Sequence, residues 1–207
     1  MVESTVQSPH SFTPSLSPSR ATMAFWNLWR DLKQKVHSAP YLLIDCAGIE
    51  GGRQRLPAQA FARLESLFAG DLADELADMG PYLGQLVALT DEVGTVVLDL
   101  LDRRVAVLVV MPVMPVQAPS APDLDLTHLT FSQLHRHLRK FNVIYNPDSS
   151  PLYFRYYDPR VLEDVLRVML APQVNELFGP IDTLVLVNEF RHLAQFNCRD
   201  GRFAVLA

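Results

Sequence analysis

The sequence has few cysteines, no excess of basic residues and no long apolar run. Its two cysteines, Cys46 and Cys198, are too few for a disulfide framework or for a zinc site, which needs about four clustered ligands. The formal net charge of -5 argues against a general nucleic-acid binder, because such domains neutralise phosphates with a basic surplus. These features predict a protein of a reducing cytoplasm that binds no nucleic acid.

Signals for membrane insertion and export are also missing. No stretch reaches the roughly 18 uninterrupted apolar residues of a membrane helix. Residues 1–22 are rich in Ser, Thr and Pro and lack the apolar centre of a secretory signal. We predict that residues 1–22 form a disordered tail, with Met1 and Met23 both open as the start of translation, and that residues 23–207 form a single soluble domain.

No cofactor or metal signature is present. The segment "GIEGG" lacks the spacing of a phosphate-binding loop. The acidic segment "GDLADELADMG" lacks the alternating ligands, central glycine and terminal glutamate of a calcium loop, so a solvated face is the favoured interpretation. His135 and His137 are two residues apart and diverge on a helix, so they cannot share a metal. We expect no cofactor and no metal.

Short apolar runs alternate with helical patterns along the chain. The runs "YLLID", "YLGQLVAL", "VAVLVV" and "TLVLV" predict buried strands. Helical spacing appears in "AFWNLWRDLKQKV", in "DEVGTVVLDLLDR", in "THLTFSQLHRHLRKFN", from Pro159 to about Leu170, and in 57–78 around Phe61, Leu64 and Leu67. Turn residues in "NPDSS" and at Asp200-Gly201 predict two hairpins. The pattern predicts an α/β fold with a mixed β-sheet of about five to seven strands flanked by helices, and a C-terminal β-hairpin.

Prolines interrupt this pattern between residues 112 and 122. Neither a helix nor a central strand tolerates such proline density, so we predict an exposed loop inside the domain. An ordinary long loop is favoured over a polyproline-like peptide ligand. The prolines are Pro112, Pro115, Pro119 and Pro122.

Two surfaces are candidates for partner binding. The first is apolar and belongs to the first helix, although packing on its own domain is the favoured role of that stripe. The second is the basic side of the helix 127–142, where a solvated face is favoured over a surface for an acidic partner. The candidate partner-binding residues are Phe25, Trp26, Trp29, Arg136, Arg139 and Lys140.

The segment "FRYYDPRVL" has residue types that suit either a structural joint or an active site. Strand alternation predicts Leu152, Phe154 and Tyr156 on one face and Tyr153, Arg155 and Tyr157 on the other. Arg155, if partly buried, needs a carboxylate, and Asp45 and Asp158 are the candidates. Asp158 followed by Pro159 is also a typical helix start. The structural role is favoured over a catalytic one, in which Arg155, Asp158 and a tyrosine would perform acid–base chemistry.

Four segments in this order resemble the effector adaptor or chaperone domain of bacterial type VI secretion systems, the family called Tap or TEC. They are "YLLIDCA", "SLFAGDLADELADMGPYLGQL", "QLHRHLRKFNVI" and "LYFRYYDPRVLEDVL...LFGPI", and the resemblance covers about residues 40–181. It implies a non-enzymatic cytoplasmic protein that is not secreted with its cargo. Such a protein binds one toxic effector and helps load it onto the VgrG spike. The signature or structural positions are Asp45, Gly80, Pro81, Arg139, Arg155, Tyr157, Asp158, Pro159 and Arg160.

The sequence departs from the family in two places. Family members often continue into a longer, more helical C-terminal part, which leaves open where this chain would contact an effector. The proline-rich segment 112–122 is atypical and is a candidate specificity element. A small α/β enzyme that uses Arg155, Asp158 and a tyrosine remains the alternative function.

Overall fold

The computed structural model describes residues 19–34, 40–112, 126–146, 148–199 and 202–206, and only the backbone at 126–129, 199 and 202–206. The helices are α1 Arg20–Gln34, α2 Asp71–Glu75, α3 Asp91–Asp102, α4 Leu126–Arg139, α5 Pro159–Val168 and α6 Ala171–Phe178. The strands are β1 Pro40–Asp45, β2 Phe61–Ser66, β3 Pro81–Leu86, β4 Ala106–Val110, β5 Val143–Tyr145, β6 Pro151–Tyr153, β7 Thr183–Val187, β8 Leu193–Arg199 and β9 Arg202–Leu206. Three short 3-10 helices lie between β1 and β2.

A seven-stranded sheet in the order β2-β3-β1-β4-β7-β8-β9 forms the centre of the fold, and β5 and β6 pair separately. The predicted α/β class, the strand number, the flanking helices and the C-terminal hairpin β8–β9 are confirmed. Every strand pair of the described sheet is antiparallel, so the predicted mixture of directions is wrong. The reason is that β3 and β4, which α3 connects, run parallel to each other but have β1 between them.

Helices cover both faces of this sheet. Along β1, Tyr41 and Leu43 belong to one apolar cluster, which includes side chains of α4, α5 and α6. Leu42 and Ile44 belong to the other cluster, which includes side chains of α1 and α3. Because neither face meets water, β1, β4 and β7 are buried along their whole length, which explains their unbroken apolar runs.

The first helix begins earlier than expected. The backbone N–H of Thr22 donates to Ser19 Oγ at 3.1 Å, so Ser19 caps the helix and Arg20 starts it. The predicted tail 1–22 is therefore too long at its C-terminal end, and residues 1–18 lie outside the described part of the chain. The proline-rich prediction lies largely outside it as well, since only residue 112 of that segment is described.

The helical prediction for residues 57–78 is wrong over β2. A β-bulge between Phe61 and Arg63 inserts one extra residue, so that Phe61 pairs with Leu86 and Leu64 with Gly84. These two partners are two residues apart on β3, which places Phe61 and Leu64 on one face of the sheet. The spacing of three residues therefore imitates a helical stripe.

The helix α6 was not predicted. Its first turn contains Pro172, and the Gln173 side chain accepts the Leu170 backbone N–H at 2.8 Å. Gly179 follows its last residue with a positive φ of 47°. Proline at the start and glycine at the end are the sequence signals that mark this helix.

Within the described residues, no helix is both long enough and apolar enough to cross a bilayer.

Candidate functional site

Arg155 lies between two carboxylates. Its Nη2 atom is 2.5 Å from Asp45 Oδ2 and 3.5 Å from Asp158 Oδ2. The sequence left the choice of partner open, and the structure brings both together. The arginine therefore connects the end of β1 with the residue that caps the start of α5.

Asp45 is held where β1 ends. Asp45 is 1% exposed. Its carboxylate accepts a hydrogen bond from the backbone N–H of Ala47 at 3.3 Å, in addition to the bond from Arg155. A carboxylate in such a position has little water to solvate it, so the guanidinium and the N–H group are its compensation.

Asp158 caps α5, as the Asp-Pro sequence predicts. Its Oδ1 accepts the backbone N–H of Arg160 at 3.0 Å, and Pro159 occupies the first turn. The Arg160 side chain also donates to both oxygens, from Nε at 2.9 Å and from Nη2 at 2.8 Å. Burial alone would raise the pKa of Asp158, but the hydrogen bonds and charge of Arg160 outweigh it and lower that pKa.

The Gly80-Pro81 pair lies beside the same network. Pro81 is the β3 partner of Asp45, and the Leu67 backbone N–H donates to the Pro81 carbonyl at 2.9 Å. A Cβ atom on Gly80 would lie 3.2 Å from the Phe68 ring, which in turn contacts the Tyr157 ring edge-on at 6.4 Å between centroids. The signature positions other than Arg139 thus converge around the end of β1.

The two tyrosines of this segment have raised pKa values, so their hydroxyl groups stay protonated at neutral pH. Burial, with the charge of Asp45 second, raises the pKa of Tyr157 above its ordinary value. Burial also raises the pKa of Tyr156, whose hydroxyl donates to the Leu138 carbonyl at 2.8 Å. Both carboxylates are buried, whereas the Arg155 side chain is 45% exposed, so the network is closed on its acidic side and open to solvent on its basic side.

The predicted strand alternation over residues 152–157 is wrong. The strand β6 ends at Tyr153, and Phe154, Tyr156 and Tyr157 are all buried. The chain turns at Arg155, where the Asp158 backbone N–H donates to the Arg155 carbonyl at 3.0 Å. A turn frees successive side chains from the two-sided pattern of a strand, and three aromatic rings can enter one core.

Two of the three aromatic residues of α1 are buried and so contribute little to the candidate apolar surface. Phe25 and Trp29 are at most 1% exposed, and their rings stack at 5.4 Å between centroids. The Trp29 Nε1–H donates to the Thr90 carbonyl at 3.1 Å. Trp26 is partly buried and contacts Phe25 edge-on. The favoured role of α1, packing on its own domain, agrees with this burial.

The basic face of α4 is exposed as predicted. Arg136, Arg139 and Lys140 are exposed, and none of them makes an ion pair with a residue whose side chain is described. They line an open groove together with Glu65, Ser132 and His135, which we call the α4 groove. The His135 ring nitrogen Nε2 is 2.8 Å from the Ser66 carbonyl oxygen, which fixes the helix against the end of β2.

One surface was missed by the sequence analysis. The hairpin β5–β6 exposes Ile144, Tyr145, Leu152 and Tyr153, with Tyr145 and Tyr153 at 71% and 70%. An unbroken apolar run such as "VIY" is typical of a strand that is buried on both faces, so the sequence did not indicate that this hairpin is exposed.

One known family of protein domains matches most of this chain. The model of one family, described as "Domain of unknown function (DUF4123)", matches residues 40–176, and the chain belongs to this family. The family is generally associated with adaptor function for type VI secretion effectors. No curated protein and no solved structure matches the chain. The matched range is close to the span of the resemblance, 40–181.

Proposed function

We propose that this protein is a cytoplasmic adaptor that binds a type VI secretion effector and promotes its loading onto the VgrG spike. The observation that carries the proposal is membership of the DUF4123 family over residues 40–176. In this proposal the protein alters neither partner chemically, and it stays behind when the effector leaves.

The geometry of the signature residues supports a structural role for them. The carboxylate oxygens of Asp45 and Asp158 accept hydrogen bonds from arginine side chains and from backbone N–H groups, and both residues are buried. Groups held in this way stabilise the junction of β1 and α5. An acid–base site would instead need a carboxyl or hydroxyl group that a substrate can reach.

The exposed surfaces support a binding role. An adaptor must release its cargo, so its interface should be modest in size and partly polar. The α4 groove offers cations that make no ion pair with the described side chains, and the hairpin β5–β6 offers exposed aromatic and aliphatic side chains. Both surfaces are built from residues within the matched range 40–176.

The test is co-expression with the toxin encoded beside this protein. The proposal predicts that the amount of soluble toxin rises, that the toxin co-purifies with this chain, and that the masses of both proteins are unchanged. An unrelated toxin is the matched control and should not co-purify. Turnover of a small molecule that depends on Arg155, without binding of toxin or spike, would replace the proposal with the enzyme alternative.

A further inference from the structure

The hairpin β5–β6 is a preformed element outside the main sheet. At its base, the Asn142 side chain donates to the Leu67 carbonyl at 2.6 Å, and the Phe154 N–H donates to the Asn142 carbonyl at 3.0 Å. At its tip, Asp148 accepts hydrogen bonds from the N–H and the hydroxyl of Ser150. Two-stranded hairpins are marginal in water, so one that exposes apolar side chains on both faces is suited to a further partner.

Within the part of the chain that the structure describes, one edge of the hairpin is open for strand pairing and the other is obstructed. The bonds Phe154 N–H to Asn142 and Asn146 N–H to Ser150 identify positions 142, 144 and 146 as those that bond across the hairpin. Val143 and Tyr145 therefore direct their N–H and C=O groups to the outer edge of β5. On β6 the outward position opposite Tyr145 is Pro151, which has no N–H to donate.

The start of β5 lies close to the α4 groove. His135 and Asn142 contact the carbonyls of the consecutive residues Ser66 and Leu67, so the groove and the hairpin base are fixed to the same short stretch. Lys140 and Val143 are three peptide bonds apart, which limits their Cα separation to about 11 Å. A chain paired with β5 can therefore reach the cations of the groove.

We propose that the β5 edge binds an extended segment of a partner polypeptide that combines β-branched or aromatic side chains with a cluster of carboxylates. Strand addition supplies main-chain hydrogen bonds, the exposed tyrosines supply apolar contact, and the cations of the α4 groove select acidic residues. Within the proposed function, this segment belongs to the effector.

A second copy of this chain is a poorer occupant. Two hairpins paired about a two-fold axis would bring two sets of Arg136, Arg139 and Lys140 to one interface. Like charges placed together in this way disfavour association.

The test that needs no effector uses a phage-displayed library of random peptides, selected on the immobilised full-length protein. Enriched peptides should combine acidic residues with β-branched or aromatic ones, and should bind about tenfold more weakly after Tyr145→Pro. Tyr145→Ala is the matched control, because it also removes the ring but keeps the N–H of the open edge. Tyr145→Pro removes no bond across the hairpin, and thermal unfolding of both variants checks that they fold.

The double variant Arg136→Glu/Arg139→Glu tests the second half of the proposal independently of the hairpin. It should weaken the binding of the same peptides about tenfold. Added salt should also weaken their binding to the wild-type protein. The proposal is overturned if no peptide is enriched, if enriched peptides lack acidic residues, or if Tyr145→Pro and Tyr145→Ala bind alike. If the wild-type protein is a dimer and Tyr145→Pro makes it monomeric, the edge binds a second copy of this chain, and the proposal is overturned as well.

The co-expressed toxin separates this proposal from the proposed function. If the toxin co-purifies with the wild-type protein but not with Tyr145→Pro, the result supports both the adaptor function and the binding edge. Toxin that co-purifies equally with wild type, Tyr145→Pro and the double variant supports the adaptor function and overturns the binding edge. If wild type retains no toxin, the adaptor function fails, and the peptide selection still decides the chemistry of the edge.

Discussion

Arg155 Nη2 lies 2.5 Å from Asp45 Oδ2, although the two residues are 110 positions apart in the sequence. This contact joins the end of a central strand to the turn that precedes α5. The same arginine is 3.5 Å from Asp158, so two buried carboxylates share one partly exposed cation. The arrangement explains why acidic and basic signature residues from distant segments belong together.

Arg155→Ala should lower the free energy of unfolding by about 1–3 kcal/mol, because it leaves Asp45 buried with a backbone N–H as its remaining partner. The loss should be smaller than the roughly 3–5 kcal/mol of a fully buried pair, since the arginine is partly solvated. Urea denaturation measures it. Arg103→Ala, which breaks the exposed pair with Asp99, is the control and should cost under about 0.5 kcal/mol. An equal loss of unfolding free energy in the two variants would show that Arg155 has no structural role beyond that of an exposed ion pair.

Asp158→Asn should destabilise the protein less than Asp158→Ala. Asparagine keeps an oxygen that can accept the Arg160 backbone N–H, whereas alanine loses the cap, which is worth about 0.5–2 kcal/mol. Thermal unfolding of both variants under one buffer condition gives the comparison. Identical melting temperatures would show that the charge, and not the cap, dominates.

The contribution of the Asp158 charge should depend on pH. The folded protein lowers the pKa of Asp158 below its ordinary 3.8, so the carboxylate stabilises the fold fully above that value and loses this effect as the pH falls through the lowered one. The difference in unfolding free energy between wild type and Asp158→Asn should be constant between about pH 7 and 5 and shrink below about 4. A difference that grows in acid would contradict the direction of the shift.

Local signals allowed several elements to be predicted from the sequence. The Asp158-Pro159 pair indicated a helix start because capping depends on adjacent residues alone. The stripe of α4 indicated its buried side, and Phe131, Leu134 and Leu138 are in the core. Each of these inferences needed information from a few neighbouring positions.

Other features depend on contacts that the sequence does not display. The bulge in β2 gives Phe61 and Leu64 a helical spacing, and the register that reveals it involves β3. The strand order places β1 between β3 and β4, which a simple strand–helix–strand pattern does not indicate. The choice between Asp45 and Asp158 for Arg155 likewise required the geometry, because both carboxylates reach the same side chain.

Trp29→Ala should destabilise the fold by about 3–5 kcal/mol, because it empties a buried site and leaves the Thr90 carbonyl without its indole donor. Trp26→Ala, at a partly buried position, should cost less. Chemical denaturation measures both losses. Toxin binding per folded molecule should be unchanged in either variant, and a selective loss of binding in folded Trp29→Ala would return α1 to the list of partner surfaces.

The central claim, that this protein loads an effector onto its spike, is tested most directly by measuring toxin retained on immobilised VgrG. The measurement is made with and without this chain, and with intact masses recorded afterwards. We predict that the amount of retained toxin increases with added chain until the sites are filled, and that all three masses stay the same. Equal retention with and without the chain, or a change in the mass of the toxin, would contradict it.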